Sequence, residues 1–438
     1  MEEVSSELDI LIPNWRQKIA YGKTDGSKNV RNACKLLCDS RECLQHNFQL
    51  YLEHFCTSIP VIASAMSACN YIARLSKTSQ YLFSIAGRIP PGSSTRWNSH
   101  IECCNKLLNR KEQIEVFRNS PTVAAKTKKT LEPHFIVLRT DGFSAIHDMV
   151  LLLSSLMAIT IDEEGEQYVT LSYIIPRLSA AREDLLEKFG KAQLADNLDN
   201  GMRFENCGAV ASWQETHEYL WTIYLEPFLS DDAMQCATIL DPRHFLGACL
   251  PQDLRKECLN TFFRMLKEEQ ERMIEEENRD RSNTTEQMTL EGHPSNAGRQ
   301  VTAARMASTK QFDIADEVEW VNEHLAQLRE ASESVCSMNL TPEAEYTEFC
   351  LNIARLWNSS RHPTADFDPL SIFRINSCSR LKLCHRLARR VLSCPAGEAP
   401  SERIFSIASR IIRKERSSMS EEMICCVTFC KKNARALD

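Results

Sequence analysis

The sequence lacks any long uninterrupted apolar run: no stretch of about 18 apolar residues occurs among its 438 residues. We therefore expect no membrane-spanning helix and no membrane partner. The first ten residues, MEEVSSELDI, are acidic and contain no apolar segment, which argues against a secretory signal. An intracellular protein is the expectation. Its 19 cysteines, scattered along the chain, are then expected to be reduced and to pack as small apolar residues.

A complete zinc-finger pattern is also missing, because no Cys-x-x-Cys is followed by a pair of histidines. Cys43 and His46, in the segment CLQH, supply only half of a tetrahedral zinc ligand set. We interpret both as structural residues, with the histidine hydrogen-bonded inside the fold, rather than as metal ligands. The pairs Cys103-Cys104 and Cys425-Cys426 have no ligand spacing and are interpreted as packing residues.

Strand-like alternation of apolar and polar residues is scarce beyond the first quarter of the chain. A short strand is predicted near residues 18–23, before a turn that contains Asp25 and Gly26. Apolar residues recur with helical spacing through most of the rest, and no internal repeat occurs. The prediction is a mostly α protein with a small α/β part.

A highly polar segment at 267–312 sets the predicted domain boundary. Its first part, KEEQERMIEEENRDR, is predicted to prolong a helix, and the Ser, Asn, Thr, Gly and Pro residues that follow are typical of a flexible linker. We predict an α/β segment at 1–55, a helical domain at 56–266, this acidic, polar linker, and a C-terminal region at 313–438.

The net charge of −7 hides an excess of positive charge at the C-terminal end. Residues 381–438 contain twelve Lys and Arg but only six Asp and Glu, so the rest of the chain is strongly acidic. A basic segment on an acidic body indicates contact with nucleic acid, and Arg410 and Arg413 are the predicted DNA contacts within it. A solvated helix face is the alternative interpretation.

Residues 400–416 have the pattern of an amphipathic helix that starts at a Pro-Ser-Glu-Arg turn. Pro400 suits the first turn, and the helix dipole favours an acid there. Glu402 therefore has two interpretations: an ordinary acid at the start of a helix, or a member of a metal-binding carboxylate set. The apolar stripe of this predicted helix consists of Ile404, Phe405, Ile407, Ala408, Ile411 and Ile412.

Several motifs, in the right order, resemble those of hAT-superfamily transposases. The stretch DPLSIFRINSCSRLKLCHRLARRVLSCPAGEAPSERIFSIASRIIRKERSSMS is similar to the family's C-terminal dimerisation region. Upstream, KTDGSKN resembles the family's Thr-Asp turn, CLQH its Cys-x-x-His, STRWNS its Arg-Trp motif and LDPRHF its Leu-Asp-Pro-Arg segment. The resemblance extends from the predicted first strand to the end of the chain and is weakest across the polar linker.

The resemblance implies an RNase H-like catalytic fold, truncated here and interrupted by a large helical insertion. Such enzymes cut DNA with two divalent cations held by three carboxylates. By motif, Asp25 matches the family's second catalytic aspartate and Glu402 its catalytic glutamate. Arg96 and Trp97 match residues that hold DNA, with an unpaired base stacked on the indole. For Trp97, a place in the hydrophobic core is the alternative.

The family's first catalytic aspartate has no match in this sequence. Asp9 is the one aspartate before Asp25, and it falls in a predicted helix rather than on a leading strand. Two carboxylates hold a pair of Mg²⁺ ions poorly, so we predict vestigial Asp25 and Glu402 and no cofactor unless the set is completed. The BED-type zinc finger of many relatives has no match either.

These observations predict a transposase-derived nuclear protein that associates with itself as a homodimer or larger oligomer, through its C-terminal region. DNA is the second predicted partner, and cleavage activity is not expected. Two alternatives stay open: an active hAT transposase of which this chain is a fragment of a longer reading frame, and an interaction scaffold without a DNA role.

Overall fold

The computed structural model describes residues 21–24, 39–93, 97–163, 169–198, 201–289, 341–358, 367–374 and 381–394, and seven single positions: 407, 411, 420, 423, 424, 427 and 428. These ranges are almost entirely helical. The prediction of a mostly α protein is therefore confirmed.

The α/β part is represented by two short parallel strands. Strand β1, Tyr21–Thr24, pairs with strand β2, Asp39–Glu42, in one two-stranded sheet. Because the two strands are parallel, they are not joined by a tight hairpin. The strand predicted near residues 18–23 overlaps β1.

The described chain forms two compact units, each with its own helices. Unit 1 takes its described residues from 1–170, 177–229 and 395–438. Its helices are α1 Leu44–Ser58, α2 Pro60–Thr78, α3 Gln80–Ala86, α4 Trp97–Leu108, α5 Lys111–Asn119, α6 Ala125–Val137, α7 Phe143–Leu152, α8 Ser154–Glu163, α9 Ile174–Leu194 (from residue 177), α10 Cys207–Ser212, α11 Gln214–Tyr224 and α12 Glu226–Leu229.

The core of unit 1 follows from apolar residues at helical spacing. On α1, Leu44, Phe48, Tyr51 and Phe55 lie on one face and are fully buried, mainly against α11. Each such side chain contributes about 2 kcal/mol through burial. Pro60 at the start of α2 has the backbone angle that a first helical turn requires, so the chain turns sharply between α1 and α2.

Helices α6 and α7 are joined by a π-helical turn rather than by a loop. This turn, Leu138–Gly142, ends at a glycine that lies against the backbone of the preceding turn. A Cβ atom on Gly142 would come 2.7 Å from the carbonyl oxygen of Val137, so only glycine fits without a shift of the chain. The two helices therefore continue as one interrupted rod on which α2 packs.

Unit 2 comprises the described residues of 171–176 and 230–394. Its helices are α13 Asp232–Leu240, α14 Gln252–Thr289, α15 Pro342–Asn358, α16 Ser371–Arg374 and α17 Lys382–Val391, and 3₁₀ turns occur at Leu171–Tyr173 and Pro242–His244. Helix α14 is 38 residues long and runs well into the acidic segment that was predicted to prolong a helix. The domain boundaries predicted after residues 55, 266 and 312 stay predictions.

Among the described helices, none is by itself long and apolar enough to cross a membrane. The pair α1 and α2 passes a test of length and composition together, but the two helices are bent by 105° at their junction.

Candidate functional site

Helix α17 in unit 2 has the strongest separation of apolar and basic residues among the described helices. Its apolar face, Leu383, Cys384, Leu387, Ala388 and Val391, is fully buried against α13, α14 and α15. Its other face carries the polar and basic side chains Lys382, His385, Arg386, Arg389 and Arg390. The apolar pattern alone explains why this segment is a helix held inside the unit.

A carboxylate from α15 caps the start of α17. Glu345 is 1% exposed, and its two oxygens accept the backbone N–H groups of Leu383 and Cys384, both at 2.9 Å. The first N–H groups of a helix have no partner within it, and the positive end of the helix dipole favours an anion. Burial raises the pKa of Glu345, and these hydrogen bonds act against that increase.

A second buried carboxylate binds the basic face of α17 to α14. Glu269 is also 1% exposed; one oxygen accepts from Arg386 Nε at 2.8 Å and the other from Arg390 Nη1 at 2.7 Å. Arg272 Nη1 lies 3.2 Å from the same second oxygen, and Arg386 also contacts Glu276 at 2.9 Å. Positive charge of α17 is therefore neutralised inside unit 2 by these carboxylates. We name this group the Glu269 cluster.

Aromatic rings join the remaining elements of unit 2. Phe262 on α14 lies 5.4 Å from Phe349 on α15, measured between ring centroids, and Phe349 stacks on Phe373 of α16 at 6.2 Å. Phe373 in turn stacks on His385 of α17 at 6.4 Å. Stacked rings of this kind add to area burial, so α16 is fixed although it has only four residues.

The Leu-Asp-Pro-Arg segment forms a buried ion pair near the start of unit 2. Asp241 is fully buried, and Arg243 donates to both of its oxygens from Nε and Nη2 at 2.6–3.0 Å. Ser172 donates to Asp241 at 2.6 Å, and the Arg243 guanidinium lies over the ring of Tyr173 at 4.3 Å. The bidentate geometry fixes the turn that joins α13 to α14. This motif therefore has a structural role here.

Backbone strain follows directly after that ion pair. Phe245 and Leu246 have φ angles of 43° and 54°, in the left-handed region that few non-glycine residues adopt, and Gly247 follows with 73°. Arg255 Nε donates to the carbonyl of Leu246 at 3.1 Å, and Leu246 itself is buried. These contacts supply the stabilisation that such a conformation needs.

The described cysteines are free thiols, and most of them are buried. Burial raises the pKa of Cys103 and of Cys258 to about 12. Thiols of this kind are almost fully protonated at neutral pH and are poor nucleophiles and poor metal ligands. Among the described residues, no three His, Cys, Asp or Glu side chains lie close enough together to hold a metal ion.

Most of the residues predicted as a site fall outside the described residues: Asp25, Arg96, Glu402, Arg410 and Arg413. Trp97 is the first residue of α4. The catalytic and DNA-binding roles of these residues therefore stay predictions.

Cys43 and His46 lie at the start of α1. Cys43 is 3% exposed, and its carbonyl accepts hydrogen bonds from the backbone N–H and the side-chain amide of Asn47, at 3.2 and 3.1 Å. His46 is half-buried on the first turn of the helix. The structural roles of Cys43 and His46 stay predictions.

Sequence reasoning missed Glu345 and Glu269, the two carboxylates that hold α17. A signal was available for Glu269: it follows Phe262 by seven residues and Met265 by four, so it falls on the apolar stripe of α14. A charged residue at such a position needs a buried partner. Its partners on α17 lie more than a hundred residues away, so the spacing cannot identify them.

Comparison with known protein families gives one match. Residues 346–434 match the hAT family C-terminal dimerisation region. The matched stretch contains most of α15, all of α16 and α17, and the described positions from 407 to 428. A comparison with curated proteins found no match. The family match supports a relationship of this chain to hAT transposases.

Proposed function

We propose that the protein is a hAT transposase-related nuclear protein that associates with itself through residues 346–434 and binds DNA without cleaving it. The match of that stretch to the hAT family C-terminal dimerisation region is the observation that carries this proposal. Self-association needs an apolar surface that the chain itself leaves uncovered. Within the matched stretch, Met423 is 53% exposed and is the candidate for that surface.

Self-association is tested by comparing two exposed apolar residues. Met423→Asp places a charge within the matched region, and Ile274→Asp places one on α14, outside it, at a residue with a similar exposure of 49%. We expect light scattering to show an oligomer for the wild-type chain and for Ile274→Asp, and monomer for Met423→Asp. An unchanged oligomer in both variants would remove Met423 from the interface.

The proposed absence of DNA cleavage rests on the number of carboxylates that match the family's catalytic set, which is two rather than three. The parallel pair β1 and β2 supports an RNase H-like remnant, and β1 ends at Thr24, the residue before Asp25 in the sequence. Reactive groups of α/β folds follow the carboxyl ends of parallel strands. Asp25 and Glu402 alone hold two Mg²⁺ ions poorly, so no resident metal is proposed. We expect no Mg²⁺-dependent nicking of duplex or hairpin DNA, whereas nicking that disappears in Glu402→Gln would establish an active transposase.

DNA binding and nuclear location are tested separately. We expect the intact chain to bind labelled DNA with an affinity that falls as salt rises, because phosphate contacts release counterions. Trp97→Leu and the pair Arg410→Gln, Arg413→Gln test the DNA contacts inferred from the resemblance. We expect a fluorescently tagged chain to accumulate in the nucleus. A chain that self-associates but binds neither duplex nor single-stranded DNA is an interaction scaffold.

A further inference from the structure

A cavity in unit 1 combines hydroxyl and aromatic side chains, and none of its lining residues belongs to the stretch matched to the hAT family. It has a volume of about 270 Å³ and lies between the end of α2, α3, the end of α5 and the start of α6. The residues that line it include four with hydroxyl side chains, Thr78, Ser79, Thr122 and Thr127, and the rings of Tyr81 and Phe117. Its volume lies just below the range of about 300–1,000 Å³ that is typical of small-ligand pockets.

Of the elements that line this cavity, α2, α3 and the start of α6 carry more positive than negative charge, while α5 is balanced, with Lys111 and Arg118 against Glu112 and Glu115. Residues 60–86, which form α2 and α3, contain Arg74 and Lys77 and no acidic residue. Residues 120–137 contain three lysines at the start of α6 and one acid, Glu132. Glu132 is already engaged by Arg118 at 2.6 and 3.0 Å, which lowers its pKa. On α2, α3 and the start of α6, an anion at the cavity therefore meets cations without a competing free carboxylate.

The three lysines, Lys126, Lys128 and Lys129, make no ion pair with any described residue. They flank Thr127, which lines the cavity, and their helix has no acidic residue in its first turn. Positive side chains at this end of a helix are unfavourable, and Lys126 and Lys129 also repel each other across one turn. Residues that oppose the preferences of their own helix in this way are expected where they bind a ligand.

The aromatic wall supplies a second type of contact. Tyr81 is 38% exposed and packs on Phe117 at 5.8 Å between ring centroids, and Phe83 beside it is 51% exposed. An exposed ring beside lysines is the combination that binds single-stranded nucleic acid, because bases stack on the ring while cations contact the phosphates. The hydroxyls of Tyr81 and Thr127 have no hydrogen-bond partner among the described residues.

We propose that this cavity and the lysines of α6 bind single-stranded DNA, with one unpaired base against Tyr81 and the neighbouring phosphates at Lys126, Lys128 and Lys129. The inference rests on the proposed DNA binding and gives it a site. It assigns the contact to Tyr81 and the lysines of α6, a set of residues that includes none of Arg96, Trp97, Arg410 and Arg413.

The test uses the intact chain and a fluorescein-labelled oligothymidylate, with binding followed by anisotropy over a range of salt concentrations. The triple variant Lys126→Gln, Lys128→Gln, Lys129→Gln removes the three cations and keeps good helix formers. Its matched control, Lys106→Gln, Lys188→Gln, Lys191→Gln, removes the same charge from lysines that each pair with a carboxylate four residues earlier.

We expect the α6 variant to bind about 30-fold more weakly and its salt slope to fall by about 2, since each lost phosphate contact on a single strand removes about 0.7. The control is expected to stay within about threefold of the wild type, because its lysines contact no DNA. Equal losses in the two variants, or no loss in either, would overturn the proposal.

A second pair of variants tests the aromatic wall. Tyr81→Leu keeps an apolar group against Phe117 but removes the ring and is expected to weaken binding about tenfold with an unchanged salt slope. Tyr219→Leu, at a tyrosine that is 67% exposed on α11, is expected to bind as the wild type does. Wild-type affinity of Tyr81→Leu, or tighter binding of oligouridylate than of oligothymidylate by the wild type, would contradict the assignment.

The outcomes separate this inference from the proposed function. If the wild-type chain binds DNA and the α6 variant binds equally well, the cavity is not the site and the proposed DNA binding remains. If the wild-type chain binds no DNA, both fail together, while self-association is untouched.

Discussion

Helix α17 of unit 2 and helix α6 of unit 1 use positive charge in opposite ways. In unit 2, Arg386 and Arg390 of α17 contact the buried carboxylate of Glu269, and Arg243 contacts the buried carboxylate of Asp241. In unit 1, the lysines of α6 have no such partner among the described residues. Buried pairs of charges hold a fold, whereas exposed, unpaired cations remain able to contact an anion.

This difference shows why a count of basic residues does not locate a nucleic-acid surface. Residues 381–438 carry twelve Lys and Arg, and the sequence alone favours that segment for DNA contact. Two of those arginines, Arg386 and Arg390, are engaged by Glu269 inside unit 2. The start of α6 has only three lysines, but these form no ion pair within the part of the chain that the structure describes.

The largest expected effect comes from removing the central charge of the Glu269 cluster. Glu269→Gln removes the carboxylate that Arg386 and Arg390 share and leaves Arg386 with Glu276, and we expect a loss of about 3 kcal/mol in the free energy of unfolding. Urea denaturation measures this loss. A change below about 0.5 kcal/mol would show that the cluster behaves like a surface ion pair.

The next effect is a pH dependence in unit 1. His217 is 2% exposed, Tyr51 Oη lies 2.6 Å from its Nδ1, and burial lowers the pKa of His217 to about 4. The unfolded chain, with a histidine pKa of about 6.5, therefore binds a proton more readily. Stability is complete above pH of about 6.5 and falls as pH drops toward 4, by up to about 3 kcal/mol.

Urea denaturation of the wild type and of His217→Gln at several pH values checks this prediction. Glutamine does not titrate and keeps an acceptor for Tyr51, so the variant should lose the part of the slope between pH of about 6.5 and 4. If the free energy of unfolding falls equally with pH in the two proteins, groups other than His217 cause the sensitivity to acid.

A smaller effect is expected at Asp148, a carboxylate that unit 1 buries without an arginine. Its oxygens accept the backbone N–H groups of Glu205 and Asn206 at 2.7 and 2.8 Å, just before α10. Asp148→Asn keeps one of these acceptors, and we expect a loss of about 1–2 kcal/mol in the free energy of unfolding. A loss as large as that of Glu269→Gln would break the contrast between the units.

The smallest effect has the opposite sign. The triple change of Lys126, Lys128 and Lys129 to glutamine removes repulsion at the start of α6, and we expect a gain of about 0.5 kcal/mol in the free energy of unfolding. Thermal unfolding of unligated protein measures it. A loss of stability would mean that these lysines have a structural role in unit 1.

The local spacing of apolar residues predicted helices and strands well where one face of the element is buried. The apolar spacing of α1 predicts its buried face, and the overlap of β1 with the predicted strand follows from the turn residues after it. The helical continuation of α14 into the acidic segment also follows from composition, because Glu, Lys, Arg and Gln are good helix formers.

The sequence could not predict which distant groups come together. Glu345 caps a helix that starts nearly forty residues later, and Glu269 meets Arg386 across more than a hundred residues. Likewise, the cavity at Tyr81 depends on α6, whose Thr127 is distant in the sequence. Such contacts depend on tertiary packing, on which spacing within one segment gives no information.

The most direct test of the central claim is sedimentation equilibrium of the intact wild-type chain over a wide range of concentrations. A chain that associates through residues 346–434 is predicted to show at least twice the mass of its 50.0 kDa protomer and to dissociate on dilution. A single species of protomer mass at every concentration would contradict the account.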